Sequence, residues 1–155
     1  MTALLLVAAV VLAVLYVVKV HPDHEHDAKL VAARTGAVAA GRQAIINLDA
    51  ISAKTLDTDL KRVEAVSTGK FKDLFTKSET TLRSLYPQQQ TASTGSIRSV
   101  AVVSTDSDSV TLLIAADRSV TDVSNKTPAL QTSRWEIVME KHGGKWLMAD
   151  LEPVP

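Results

Sequence analysis

The most constraining feature of the sequence is an apolar segment near its first residue. From Ala3 to Val18 the chain carries no charged side chain. As an α-helix, this run and its flanks extend about 27 to 30 Å, close to the thickness of one hydrocarbon core. No Lys or Arg precedes the run and no small-x-small cleavage pattern follows it, which favours a retained transmembrane anchor over residues 1–20 rather than a cleaved signal peptide. Tyr16, near the end of the segment, suits the membrane interface.

Residues 21–29 are predicted to form a juxtamembrane linker. Its three histidines and three acids are residue types that bind zinc or copper, but a short linker provides no framework to fix their geometry. We therefore expect solvated side chains and no metal site here. The group comprises His21, Asp23, His24, Glu25, His26 and Asp27.

The first part of the remaining domain, residues 30–155, has helical periodicity. A long helix is predicted first, with Gly36 and Gly41 each lowering its intrinsic stability by about 1 kcal/mol relative to Ala. Such a helix relies on packing, and its Ala-Gly surface lets another helix approach closely. Its expected apolar face comprises Leu30, Val31, Val38, Ile45, Leu48 and Ile51.

Two shorter helices follow. Asp57 or Thr58 is the expected N-cap of the second, and Gly69 is expected to end it. The third helix is predicted to stop at Pro87, and the polar residues 88–96 to form the crossing into a sheet. The expected apolar face of the third helix comprises Phe71, Leu74, Phe75, Leu82 and Leu85.

The second half of the chain changes to strand periodicity. Short segments rich in Val and Ile at 96–104, 109–118, 133–141 and 144–152 predict four strands. The pair Gly143 and Gly144 indicates a tight hairpin between the last two strands, while residues 119–132 are expected to form a long loop. The fold class is therefore α+β, with about three helices packed on one face of a curved four-stranded antiparallel sheet.

Composition and motifs exclude several function classes. Lys plus Arg and Asp plus Glu both total 17, so no overall charge attracts nucleic acid. The chain has no cysteine, which excludes disulfides and thiolate sites. The dipeptide Gly69-Lys70 resembles part of a phosphate-binding loop. That loop, however, needs Gly where Glu64 stands and a hydroxyl where Phe71 stands.

Signals for catalysis are weak, so we expect no enzyme and no cofactor. His142 is the one histidine beyond the linker, and it lies at the predicted hairpin. Asp117 and Asp150 are the carboxylates most suited to line a pocket if they lie on the inward face of the sheet. Trp135 and Trp146, on neighbouring strands, are expected to pack in the core or across strands.

Two segments resemble the actinobacterial family of Mce-associated membrane proteins. The first is LKRVEAVSTGKF, residues 60–71, where that family commonly has a short helix followed by Thr-Gly-x-Phe. The second is the C-terminal run Gly-x-Trp-Leu-x-x-Asp-Leu-x-Pro-Val, residues 144–154. The resemblance implies a cone-shaped domain similar to nuclear transport factor 2. The segment 46–52 departs from the family, since many relatives carry a Tyr there.

The resemblance also implies a function. The chain would be a non-catalytic accessory subunit of a mammalian-cell-entry (Mce) lipid importer, a single-pass inner-membrane protein with its domain outside the cytoplasm. Its partners would be the permease, the substrate-binding ring proteins and membrane lipid. Two alternatives stay open: a lipid-binding protein with an apolar ligand in the cone, and a single-span assembly subunit of a type IV-like secretion system.

Overall fold

A computed structural model describes the backbone of residues 2–155 and the side chains of residues 25–155. The chain divides into two compact units, Met1–Ala32 and Ala33–Pro155. Its elements are helix α1 (Thr2–Asp49), a 3-10 turn (Ala53–Thr55), helices α2 (Leu56–Glu64) and α3 (Gly69–Gln89), and strands β1 (Ala92–Thr105), β2 (Ser109–Thr121), β3 (Ala129–His142) and β4 (Lys145–Pro153).

The anchor predicted over residues 1–20, including Tyr16, lies outside the residues whose side chains are described. The same holds for His21 and His24 of the linker. Across residues 25–155, no helix is both long and apolar enough to cross a membrane. Over that same range, no three His, Cys, Asp or Glu side chains come together in a way that could hold a metal ion.

The sheet is an antiparallel meander in the order β1-β2-β3-β4, as predicted. Register shifts interrupt β1 at Ile97/Ser99 and Val102/Ser104, and another occurs in the β3–β4 pair at Val138/Met139. The strands are longer than predicted. β1 begins at Ala92, inside the segment that was expected to be a crossing. The expected loop of residues 119–132 is shorter, residues 122–128, because β2 and β3 stay paired as far as Val120 and Ala129.

The core of the second unit lies between the helices and one face of the sheet. Alternate residues of β2 and β3 point towards the helices and are buried, as period-two alternation requires. In β4 the consecutive residues Met148 and Ala149 are both buried. Their partners on the helices are large aliphatic and aromatic side chains. The core includes Val110, Leu112, Ile114, Ile137, Met139 and Met148 of the sheet, and Ile45, Leu60, Val63, Phe71 and Phe75 of the helices.

Helix α1 contacts the sheet through small residues. A Cβ added to Gly36 would lie 2.7 Å from Trp146 Nε1, and one added to Gly41 would lie 2.7 Å from Leu112 Cδ1. The close approach is therefore to the sheet, and the predicted approach of another helix is wrong. Most of the predicted apolar face is confirmed, since Ile45 and Ile51 are buried and Val38 and Leu48 pack against the core. Val31 is exposed instead, and the small residues Ala33, Ala37, Gly41 and Ala44 are buried beside that face.

The start of α2 depends on a buried carboxylate. Thr55 occupies the N-cap position, so the predicted caps at Asp57 or Thr58 are wrong. The Asp59 carboxylate accepts hydrogen bonds from the Ser52 backbone N–H (3.0 Å), Thr55 Oγ1 (2.6 Å) and Arg62 Nη2 (2.8 Å). This network joins the 3-10 turn to the first turn of α2 and satisfies a buried charged group.

Gly69 begins α3 rather than ending α2, which stops at Glu64. Between the two helices the chain runs beside β4, where the Thr68 N–H donates to the Met148 carbonyl and the Met148 N–H donates to the Val66 carbonyl. Gly69 has φ +51°, and a Cβ there would lie 3.3 Å from the Ala149 carbonyl oxygen. Glycine therefore permits both the left-handed backbone and the approach to β4.

Helix α3 buries a narrower face than predicted. Phe71 and Phe75 are buried, with ring centroids 5.9 Å apart, but Leu74 and Leu85 are exposed. Pro87 lies inside the helix, which ends at Gln89. The predicted stop at Pro87 is therefore wrong. The helix ends just beyond it, where Gln90 N–H donates to the Pro87 carbonyl and Thr91 N–H donates to the Tyr86 carbonyl.

The close contact at Gly41 predicts that a larger side chain at this position destabilises the domain. Gly41→Val is expected to lower the free energy of unfolding by about 2 kcal/mol, because overpacking a well-filled core costs about 1–3 kcal/mol. Ala39→Val, on the exposed side of the same helix, is the matched control and is expected to cost about 0.5 kcal/mol through helix propensity. Urea unfolding of the full chain in detergent measures both, and equal losses would contradict the packing account.

Candidate functional site

A cleft of about 280 Å³ lies between the end of α1, helix α3 and the inward face of the sheet. Leu48, Asp49 and Ile51 supply one wall. Most of the remaining lining is apolar or aromatic, as is usual for small-molecule sites. The other lining residues are Phe75, Ser78, Leu82 and Tyr86 of α3, Arg118 of β2 and Trp135 of β3.

Three of the residues that line this cleft each carry a buried polar atom without a hydrogen-bond partner. These atoms are Asp49 Oδ2, Arg118 Nε and Trp135 Nε1, and they account for all such side-chain atoms found in the described part of the chain. Buried polar groups are normally bonded, so each exception calls for an explanation. Here the three exceptions belong to residues that line a single cleft, which makes it the candidate site.

The orientation of Arg118 is fixed by two hydroxyl groups. Its Nη2 donates to the Tyr86 hydroxyl at 2.8 Å and to Ser93 Oγ at 3.3 Å. Ser93 is itself buried and donates to the Ile51 carbonyl at 2.6 Å. The guanidinium group is therefore held from α3 and from β1, which leaves its Nε edge directed to a bond that the chain does not supply.

Asp49 is the buried carboxylate of the site and is only 6% exposed. It lies against Gly95 of β1, where a Cβ would stand 2.5 Å from Asp49 Cβ. The absence of a side chain at residue 95 therefore makes room for the carboxyl group. Burial raises the pKa of Asp49 above its ordinary value, and the positive charge of Arg118 partly offsets that effect.

The two carboxylates that were predicted to line a pocket do not lie in this cleft. Asp117 points to the opposite face of the sheet, where it accepts bonds from Arg98 Nε (2.5 Å) and Thr132 Oγ1 (2.8 Å). Asp150 accepts a bond from Lys70 Nζ at 2.9 Å. The prediction for Asp117 is wrong because alternate residues of β2 face opposite sides, and Arg118 takes the inward position.

The two tryptophans singled out in the sequence lie in different parts of the domain. Trp135 lines the cleft, whereas Trp146 packs on Gly36, with the Lys141 ammonium 5.9 Å from its ring centroid. Lys70, of the supposed phosphate loop, donates to Asp150 and to Glu152 (2.8 Å), and these bonds raise its pKa. Its charge is therefore directed at carboxylates of β4 and not at a phosphate site.

A second candidate surface lies on the side of the sheet that faces away from the helices, called here the outer sheet face. In antiparallel sheets such a face usually carries polar side chains. Here Val103 is 55% exposed and Leu113 37% exposed, and a shallow groove beside Leu113 is lined in part by Ala101, Ala115 and Arg134. Ala101, Val103, Leu113 and Ala115 are called here the apolar strip, and they form a candidate contact surface.

Sequence comparison identifies the family. The profile described as "Uncharacterized protein Rv1363c/MT1408-like" matches residues 1–155. The chain belongs to the Rv1363c/MT1408-like family. Its similarity to the protein Rv1363c of Mycobacterium tuberculosis (strain ATCC 25618 / H37Rv) is 28% identity over 131 residues, which is 84% of this chain and 50% of the relative. The chain thus spans about half the length of the curated relative that it matches.

Solved structures share the fold at low sequence identity. The periplasmic domain of DotI has a TM-score of 0.61 at 8% identity, over 75% of this chain and 91% of that structure. An IcmL-like type IV secretion system protein from Legionella pneumophila has a TM-score of 0.57 at 12% identity, over 77% and 89%. These likenesses confirm the α+β architecture. The family description does not mention Mce transport or nuclear transport factor 2, so both resemblances stay predictions.

The buried position of Asp49 predicts a pH-dependent effect. Asp49→Asn is expected to raise the free energy of unfolding at pH 7, because the raised pKa makes the ionised carboxylate the costly form in the folded state. The folded wild type binds this proton more tightly than the unfolded chain, so its stability rises as the pH falls through the folded-state pKa. The advantage of the variant should therefore shrink towards pH 3.8, the ordinary value.

Urea unfolding of both full-length proteins at a series of pH values measures this difference. An advantage of Asp49→Asn that stays constant between pH 7 and pH 4 would show that the carboxyl group does not titrate with a raised pKa. Asp117→Asn is the matched control for the chemical change from carboxylate to amide. The Asp117 carboxylate lies on the outer sheet face, outside the cleft, and accepts hydrogen bonds from Arg98 and Thr132.

Proposed function

We propose that the chain is a non-catalytic docking subunit of a membrane-associated protein complex, held by residues 1–20 and acting through its domain outside the cytoplasm. The observation that carries this proposal is the apolar strip on the outer sheet face. Val103 and Leu113 expose hydrophobic surface at positions where a solvated antiparallel sheet would present polar groups.

The composition around the strip also suits a protein partner. Arg98 and Asp117 pair beside it, and Arg134 lines its groove. An apolar centre with charged and polar residues at its edge is the usual anatomy of a protein interface, in which the edge contributes specificity and the centre most of the affinity.

The fold comparisons favour the assembly-subunit alternative over the Mce alternative. One neighbour is a type IV secretion system protein and another is a periplasmic domain. By analogy, the present domain would lie outside the cytoplasm and join other subunits of an envelope complex. The Mce permease, the substrate-binding ring proteins and membrane lipid as partners rest on the sequence resemblance alone.

A charge placed in the strip tests the proposal. Leu113→Glu is expected to reduce the recovery of copurifying subunits at least tenfold, because a glutamate buried at an interface without a partner loses its hydration. Leu74→Glu on α3 is the matched control, since Leu74 is also an exposed leucine but lies on the other side of the molecule. The measurement is quantitative mass spectrometry of tagged full chains purified in mild detergent from an actinobacterial host.

Both variants should unfold at the wild-type temperature, which separates docking from folding. If Leu74→Glu loses the copurifying subunits and Leu113→Glu does not, the interface lies on α3 and not on the outer sheet face. Recovery of the wild-type chain alone, at native expression, would contradict the docking function itself.

A further inference from the structure

We infer that the cleft between α1, α3 and the sheet binds a small uncharged molecule with an apolar body and one amide or hydroxyl group. This site lies on the inward side of the sheet, opposite the outer sheet face. Trp135 lines both this cleft and the groove beside Leu113. Ligand binding and subunit docking are nevertheless tested by different measurements, so either one can fail without the other.

Three residues that line the cleft carry buried polar atoms without partners. Asp49 Oδ2 requires a donor, whereas Arg118 Nε and Trp135 Nε1 require acceptors. They come from three separate elements, α1, β2 and β3, yet their residues line the same cleft. A primary amide both donates and accepts hydrogen bonds, so it is a ligand group that suits this mixture of one acceptor and two donors.

The charges of the cleft favour an uncharged ligand. Asp49 and Arg118 carry opposite charges and both line the cleft, and no direct hydrogen bond joins them. An anionic ligand would be opposed by Asp49 and a cationic ligand by Arg118. An uncharged dipolar group placed between them is stabilised by both charges.

The size and the lining of the cleft limit the body of the ligand. Leu48, Ile51, Phe75 and Leu82 surround the polar groups, so the rest of the ligand is apolar. A volume of about 280 Å³ lies near the lower end of the range of ligand sites, about 300–1,000 Å³. A single aromatic ring or a short aliphatic chain therefore suits the cleft better than a sterol or a long acyl chain.

The test uses three probes of matched shape and different charge: benzamide, benzoate and benzylammonium. The readout is the indole N–H signal of Trp135 in ¹⁵N-labelled full chain in detergent, assigned with Trp135→Phe. Trp146 provides an internal control, because its indole packs on Gly36 and does not line the cleft. We expect benzamide to shift the Trp135 signal saturably, with at least tenfold higher affinity than either charged probe and no shift at Trp146.

The variant Asp49→Asn then tests the role of the carboxylate. It preserves shape but leaves Arg118 as the sole charge of the pair, so the preference should change from benzamide to benzoate by at least tenfold. The inference is overturned if no probe shifts Trp135 saturably, which would mean that ordered water alone fills the cleft. It is equally overturned if the wild type prefers benzoate, or if Asp49→Asn leaves the preference unchanged.

Discussion

The close contact between α1 and the sheet is the constraint on which the other features depend. Because Gly36 and Gly41 have no side chains, Trp146 and Leu112 press directly against the backbone of the helix. A helix held this near the sheet places its last residue, Asp49, beside Gly95 of β1. The buried carboxylate is thus a consequence of how deeply the helix is seated. The same spacing leaves the cleft where the helix ends and α3 continues.

Strand β2 gives the domain two chemically different faces. Leu112 and Leu113 are consecutive residues, yet the first is fully buried and the second is exposed on the outer sheet face. Arg118 and Asp117 repeat this arrangement, one bonded to Tyr86 on the helix side and the other to Arg98 on the outer side. Alternate residues of β2 thus contribute to the cleft and to the outer sheet face, whereas Trp135 of β3 lines both the cleft and the groove beside Leu113.

Local patterns predicted the elements well and their packing less well. Four strands and the Gly143-Gly144 hairpin follow from alternation and backbone freedom, both of which are local. The exposure of Leu74 does not, because the width of the buried face of α3 depends on what packs beside it. The cleft was missed for the same reason: Asp49 looks like an ordinary polar residue at a helix end, and its meeting with Arg118 and Trp135 depends on tertiary contacts between residues far apart in sequence.

The edge strand β1 has a further consequence for assembly. Edge strands offer unpaired backbone groups to which another chain can add a strand, but irregular strands do so poorly. Register shifts at Ile97/Ser99 and Val102/Ser104 break β1 into short regular stretches. A second copy of the domain would find no long, even ladder to extend. The shape of this edge thus discourages open-ended sheet growth from β1. At the opposite edge, residues 66–68 already occupy the backbone groups of Met148 in β4.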